Sequence, residues 1–588
     1  MHMRAVRSAI VAGFVATVSL WVSGCGDQAS NTPSSPPTGT SKPTAAESAR
    51  FLTQSSFGPT DTSIASVMTV DYQGWIANQL VASPSAVHRT YIDLREQQIN
   101  GADATKHVTQ DQFFESFWRQ AASGPDELRQ RVALALSQIF VISLQDANVG
   151  KYIRGLADYY DTLTAGAFGN YRTLLEKVTL HPQMGLYLTS LANQKENAAT
   201  GLLPDENYAR EVMQLFSIGL YQLNSDGSVQ TDAGGNPIPT YTHDDIAGLA
   251  KVLTGMSWYA TTPNATTFFG GAADPNRDWM PMSFYPQYHS ISAKTFLGTT
   301  IPAAAVPDIA GDLKIALDTI FNHPNVGPFI ATRLIQQLTT SNPSPAYVQR
   351  VAAAFNNNGA GVRGDLGATV KAVLLDPEAR AAVGASANFG KLREPVLRLA
   401  NWMRAFGASS QAQTVNGPGG AGFLIYNTDD PGTRLGQTAM RSPTVFNFWR
   451  PGYAPPSTGL ATAGLVAPEF QIVNEVEVAG YLNFMQGVIG RGVGYVVAPA
   501  TTPDIVSSYA NETTLAPNPP DLVARINTVL MYGQMSNGLQ QQINAATSTI
   551  AIPSGSGVTA AQVQAALARR VQLAVFLTMA SPEYLVQR

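Results

Sequence analysis

The sequence predicts a mainly α protein: a large multi-helix domain with long irregular loops, preceded by a signal peptide and a flexible tether. Three observations carry that expectation. Beyond Ala46, apolar residues recur at three- and four-residue spacing in one stretch after another, the spacing of a single helix face. Charged residues make up 13% of the 588-residue chain against 45% apolar, so a large core can be buried. The first 45 residues read instead as targeting and linker sequence.

Taken in order, Arg4 and Arg7 precede an apolar stretch from Ala9 to Val22, the length of a signal-peptide core and short for a membrane span. Val22-Ser23-Gly24-Cys25 then resembles a bacterial lipobox, which makes Cys25 the lipid attachment point, carrying acyl chains such as palmitate. An ordinary signal peptide with an incidental cysteine is the other reading. Cys25 is the only cysteine in the chain, so once it is acylated no disulfide and no thiolate metal site can form. Several acyl chains hold a protein at a membrane at about 0.8 kcal/mol per buried methylene. Gly26 directly after the cysteine favours the outer membrane where the host has one. Residues 26–45 are rich in Ser, Thr, Pro and Gly, the composition of a tether. The expected organisation is therefore a signal peptide over 1–24, lipidated Cys25 and tether over 25–45, and a single helical domain over 46–588.

Within that domain, helical periodicity covers Asp126–Leu144, Tyr171–Leu180, Glu206–Leu220, Asp244–Leu253, Ala346–Phe355, Leu366–Leu375 and Ala560–Met579. Pro125-Asp126-Glu127, Pro204-Asp205-Glu206 and Thr242-His243-Asp244-Asp245 place acceptors at helix starts, where free N–H groups need them. Three long Gly/Pro/Asn-rich connections, 257–290, 409–470 and 497–520, exceed ordinary linkers and read as functional loops. With 37 Lys+Arg against 41 Asp+Glu, the formal charge of −4 offers no basic excess for nucleic-acid phosphates.

Several phrases are more specific than generic helix. They include RFLTQSSFGP (50–59), AFGNYRTLLEKVTLHPQMGLYL (167–188), DENYAREVMQLFSIGLYQL (205–223), KTFLG (294–298), RGDL (363–366), GKLREPVLR (390–398), SPTVFNFWRPGY (442–453) and SPEYLVQR (581–588). With the run at 323–355, they resemble the bacterial domain-of-unknown-function-1800 family from about residue 46 to the end. The resemblance implies a secreted or envelope protein of helical fold, without an established activity, whose genes often neighbour an exported sulfatase-like family, a potential partner. Two departures stand out. Asp205 occupies a place commonly held by Asn, and Tyr288-His289-Ser290 replaces a His-Asp pair, which weakens a His–carboxylate mechanism there.

The candidate chemistry starts on the 206–220 helix. At about 100° per residue, Glu206, Arg210, Gln214, Asn207 and Glu211 fall within one arc of roughly 140°. Two carboxylates, a guanidinium and two amides on one face suit a buried ion-pair network bridged by Arg210. They equally suit a cleft wall with Glu206 and Glu211 as general acid and base and with Asn207 and Arg210 binding. Segment 257–290 holds eight aromatics in 34 residues, among them Trp258 and Trp279, interleaved with Asn, Asp and Arg. Such rings either anchor a long loop to the core or stack on sugar rings. His289, as a third catalytic candidate, and Lys294 close the segment and would complete a polar pocket if it folds over Glu206–Glu211.

Thr242-His243-Asp244-Asp245 reads as a helix cap before it reads as a metal site, and none of the seven histidines forms an HExxH or HxH pair, so no metal is expected. Arg393-Glu394-Pro395 and Arg398 suit internal salt bridges, with anion binding by Lys391 and Arg393 as the alternative. Gly490-Arg491-Gly492-Val493-Gly494 resembles a nucleotide loop only superficially, because a helical pattern precedes it. The functional expectation is an envelope lipoprotein acting on or binding a carbohydrate or similar polymer, with a scaffold for another exported protein as the alternative. No cofactor is specified.

Overall fold

Helix formation begins at Thr44, whose hydroxyl accepts from the Glu47 N–H while the Glu47 carboxylate accepts from the Thr44 N–H. This capping box opens α1 (Ala45–Ser55) in a computed structural model that describes residues 42–588 apart from 418 and 497–500. The expected signal peptide, Cys25 and the tether up to residue 41 lie outside the described residues. Residues 42–588 form one compact unit.

Helices of eight residues or more are labelled here. After α1 come α2 (Asp61–Val81), α3 (His88–Ala102), α4 (Gln110–Ser123), α5 (Glu127–Ser137), α6 (Ile153–Gly166) and α7 (Tyr171–Leu180). Helices α8 (Asn207–Gln214) and α9 (His243–Val252) flank the central part of the chain. There follow α10 (Ile309–Asn322), α11 (Val326–Leu338), α12 (Pro345–Asn356), α13 (Leu366–Leu375) and α14 (Pro395–Ala405). The C-terminal part adds α15 (Glu475–Arg491), α16 (Pro519–Met531), α17 (Asn537–Ser548) and α18 (Ala560–Ala580). The described sheets are two-stranded antiparallel pairs: β1 (Met256–Ser257) with β2 (Ser283–Phe284), β3 (Lys294–Phe296) with β4 (Thr299–Ile301), β5 (Lys391–Leu392) with β8 (Val586–Gln587), and β6 (Ser409–Ser410) with β7 (Ile505–Val506). The fold is mainly α. One continuous apolar core, with Phe51, Trp118, Tyr171, Tyr208 and Trp402 almost wholly buried, runs through helices from both ends of the chain.

The expected helices recur, with boundaries set by tertiary contacts. Helix α5 stops at Ser137 instead of reaching Leu144, because 143–144 pair with another segment: the Leu144 N–H donates to Met440 O and Ser143 Oγ to Ser442 O. Asp126, expected to cap α5, makes no side-chain cap bond; its carboxylate accepts instead from Ser85 and Gln130. Helix α8 ends at Gln214, short of the expected Leu220. There the chain widens into a five-residue turn, with Ile218 N–H donating to Met213 O, and turns through Gly219 at φ 75°.

Residues 220–240 then form a small β-like meander that helical periodicity did not show. Tyr221 bridges Pro239, Leu223 bridges Val229, and Thr231 bridges Pro237. Its base is fastened by Asn325 at the start of α11. The Asn325 amide donates to Ile218 O and Tyr221 O, both at 2.8 Å, and its carbonyl accepts from Leu223 N–H at 2.9 Å. Asn325→Ala strands three backbone groups, so stability should fall by on the order of 3 kcal/mol, read as a lower denaturation midpoint.

Candidate functional site

The α8 start brings together part of the expected constellation. Asp205 is held by Asn193, whose side chain bonds both the N–H and the carbonyl of Asp205. The Asp205 carboxylate accepts from Asn207 N–H at 2.8 Å and from Thr189 Oγ1 at 2.9 Å. The Asp205 side chain thus satisfies a free helix N–H. Asn207 is exposed, and its amide reaches Thr189 Oγ1 at 3.4 Å.

One turn on, Arg210 Nη2 lies 3.4 Å from Glu206 Oε2, as four-residue spacing allows. His243, the first residue of α9, contributes Nδ1 at 3.7 Å from the same oxygen. Thr242 and Asp245 form a capping box, as that motif suggested, which leaves the His243 ring outside the cap. These groups are reachable: the side chains of Glu206, Arg210 and His243 are 29%, 42% and 73% exposed.

Glu211 sits on the buried side of α8. Its Oε2 is sealed from solvent, with no hydrogen-bond partner among the described residues. Burial raises the carboxyl pKa, with the Arg210 charge opposing the shift. Tyr187 and Tyr241 feel the Glu211 charge, and burial pushes their hydroxyls up to about 12, so both remain neutral donors. The Tyr241 hydroxyl donates to Gln214 Oε1 at 3.3 Å.

His289 and Lys294 do not join Glu206 or Glu211. His289 is fully buried, with Nδ1 2.8 Å from Thr254 O and Nε2 2.9 Å from Asp312 Oδ2. Lys294 Nζ reaches the same Asp312 oxygen at 2.9 Å. The carboxylate missing next to His289 in sequence is thus supplied by α10. Both ring nitrogens face acceptors inside the fold, so this triad joins β3 and the 285–290 turn to α10.

The aromatic segment is part wall and part surface: Phe269 is 61% exposed and stands edge-on to Phe268 and Tyr288. Phe268 and Tyr285 are fully buried, and Trp258 packs against Tyr152 and under the Arg277 guanidinium. Trp279 is half-buried, with Arg89 4.1 Å and Arg154 5.6 Å from its ring centroid, cations that compete for the faces a sugar would need. Those arginines pair with Asp93 and Asp158. Nearby, burial pushes the Asp161 carboxyl up to about 7, against hydrogen bonds from the N–H groups of His88 and Arg89.

Arg393 lies in the core. Its Nη1 donates to Leu530 O at 3.0 Å and its guanidinium covers the Tyr584 ring at 4.4 Å, so the expected salt bridge belongs to the neighbouring Lys391–Glu394 pair. Lys391, Glu394, Glu469 and Arg131 form a sealed charge cluster, beside which Gln138, Gln437, Met440 and Asn447 line a cavity of about 10 Å³, room for a single water. Sequence reasoning missed His243, Tyr187 and Tyr241 beside α8. No spacing rule links them to α8.

Among the described residues, no group of three or more His, Cys, Asp or Glu can hold a metal, and no helix is long and apolar enough to cross a membrane. Fold and site thus define a mainly α protein whose reachable polar patch is built from carboxylates, arginine, histidine and tyrosine. The chain belongs to DUF1800, a family of proteins of unknown function, whose family model matches residues 50–586. No curated protein and no solved structure matches it.

Asp312→Ala should destabilise the protein by about 3–5 kcal/mol, because it leaves the buried Lys294 and His289 without their shared carboxylate. Equilibrium denaturation checks this, and Asp312→Asn should recover part of the loss.

Proposed function

We propose that this chain is an envelope lipoprotein, anchored through lipid on Cys25 to the outer membrane where the host has one, and that its helical domain acts on a carbohydrate or similar hydroxyl-rich polymer at the Glu206–Glu211 face. The observation that carries this reading is the unpartnered Glu211 carboxyl beside the reachable Glu206–Arg210–His243 group. A buried polar atom without a partner is costly and leaves capacity for a ligand's donor. Burial raises the Glu211 pKa and so favours the protonated form, the form from which a carboxyl donates a proton to a leaving oxygen. An accessible carboxylate on the neighbouring arc can activate water or hold hydroxyls. His243 takes the place beside the carboxylates for which His289 was a candidate.

A second reading, docking of another exported protein such as a sulfatase-like partner, is supported by Leu202, Leu203, Leu220 and Tyr221, apolar side chains left exposed on either side of α8 in sequence.

The first reading is tested on the full-length protein against envelope and matrix glycans, scoring thermal shift and released reducing ends. Glu206→Gln and Glu211→Gln should each cut turnover at least a hundredfold while the protein stays folded; undiminished activity in both would sink the catalytic assignment. The pH dependence of stability gives a separate check on Glu211. Its folded pKa is raised, so the native state holds the proton to higher pH than the unfolded chain, and stability falls as pH rises from the ordinary glutamate value through the raised one. Glu211→Gln should remove that decline. For the anchor, Cys25→Ser should move the protein from membrane to soluble fractions, and retention would refute lipid attachment.

A further inference from the structure

Residues 381–389 (AAVGASANF) lie between the short helix Pro377–Arg380 and β5, and all but Asn388 and Phe389 carry side chains no larger than valine. Both ends of this loop are fastened to distant parts of the chain. At its far end β5 pairs with β8, Lys391 opposite Gln587 and Leu392 opposite Val586. Gly390, at φ 140°, permits that pass, since a Cβ there would stand 2.7 Å from Gln587 O. At its near end Arg50 of α1 donates through Nη1 to Ala381 O at 2.7 Å. The Arg50 Nε donates to Arg588 O at 2.8 Å, and the guanidinium carbon stands 5.7 Å from the Phe389 ring centroid. With its ends held and little side-chain bulk to fill the space, the loop leaves a cavity of about 460 Å³, lined by Arg50, Glu378, residues 381–387, Phe389 and Arg588. That volume suits a small organic ligand.

The charges around this cavity do not balance. Arg50 is 8% exposed, yet among the described residues it makes no salt bridge with an Asp or Glu side chain, and its partners are two main-chain oxygens. Its remaining nitrogen, Nη2, donates to no described residue and is not sealed from solvent. Arg588, exposed, likewise makes no salt bridge with a described Asp or Glu. Directly before the loop, Arg380 donates to Gln54 Oε1 and covers the Phe51 and Tyr72 rings, again without a carboxylate. The carboxylate in the lining, Glu378, is occupied by the N–H and the hydroxyl of Ser344. A guanidinium taken out of bulk water is costly unless an anion meets it, and its planar fork matches the paired oxygens of a carboxylate or phosphate. The rest of the wall consists of alanine methyls, Val383 and the Phe389 ring, apolar surface for the body that carries such a group.

We propose that the cavity between α1, the 381–389 loop and the end of β8 binds a small organic oxyanion, a carboxylate or phosphate ester on a short apolar body. Arg50 Nη2 and the Arg588 guanidinium take the oxygens, and Phe389 with the small side chains of the loop takes the apolar part. None of the α8 residues lines this cavity, so the site stands or falls apart from the carbohydrate reading.

The test is isothermal titration calorimetry of the full-length protein in non-ionic detergent at constant ionic strength, with butyrate, butyl phosphate, inorganic phosphate and butylammonium as probes. Butyrate or butyl phosphate should bind saturably at one site and more tightly than inorganic phosphate, and butylammonium should not bind. Whichever of the two organic anions binds more tightly tells a carboxylate ligand from a phosphate one. Arg588→Gln should weaken that binding on the order of tenfold. Ala385→Trp, which fills the cavity without touching its charges, should weaken it at least as much. Both residues are exposed, so the melting temperature of these variants should stay close to wild type. Arg50→Lys keeps the charge but loses the fork and should weaken binding as well. Failure of both organic anions to bind wild type, equal binding of inorganic phosphate or butylammonium, or unchanged binding in any of the three variants overturns the proposal.

Discussion

The ammonium group of Lys391 is buried at the point where distant parts of this chain meet, and much of the C-terminal half depends on it. Nζ donates to Gln336 O at 2.9 Å and to Gln337 O at 3.0 Å in the last turn of α11, and lies 2.9 Å from Glu469 and 3.6 Å from Glu394. Arg131 of α5 donates to the same Gln337 oxygen. A lone buried charge would be prohibitive, but two cations and two anions in one sealed cluster compensate each other. Glu394 precedes α14, so the cluster sets where that helix starts. Glu469 lies near the end of the long 409–470 connection, so the cluster also fastens the loop onto the core. Once α14 is placed, Arg393 covers Tyr584 and Arg398 covers Tyr481, seating two C-terminal helical segments.

The polar clusters differ in one physical respect that separates scaffold from candidate site. The Lys391 cluster and the His289–Asp312–Lys294 triad are closed to solvent and join elements far apart in sequence. The α8 group is open on one side and incompletely paired on the other. A charge network that is shut and compensated holds a fold together. Buried carboxylate oxygens without a hydrogen bond occur in both kinds of cluster, Glu394 Oε1 and Glu469 Oε2 in the sealed one and Glu211 Oε2 at α8, so it is reachability that leaves the α8 group capacity for a ligand.

Much of the helical architecture was legible in the sequence, because three- and four-residue apolar spacing and helix-start residues report local energetics. Tyr171–Leu180 and Leu366–Leu375 carry strong apolar faces with Asn170 and Asp365 as caps, and both helices begin and end where the pattern does. The pattern misleads where local propensity competes with a distant partner. The apolar run after Ser137 keeps helical spacing, yet 143–144 pair with 440–442. Asp126 looks like a cap and is drawn to Ser85. The 220–240 meander carried turn signals in Asp226-Gly227 and Gly234-Gly235, but its strands are too short for alternation to show.

Of the candidate site, the α8 cluster of Glu206, Arg210 and Glu211 was readable because helical geometry places residues four and five apart on one arc whatever surrounds them. The sequence by itself determined the helical class, the family and the polar face of α8, since each depends on spacing over a few residues or on ordered phrases. Only the tertiary structure decided that His289 faces Asp312, 23 residues later, that His243 stands beside Glu206, and that Arg393, Trp258, Phe268 and Tyr285 are internal while Phe269 is exposed. Those outcomes depend on which surfaces are brought into contact. Burial and pairing between segments far apart along the chain are collective properties of packing, which no local spacing encodes.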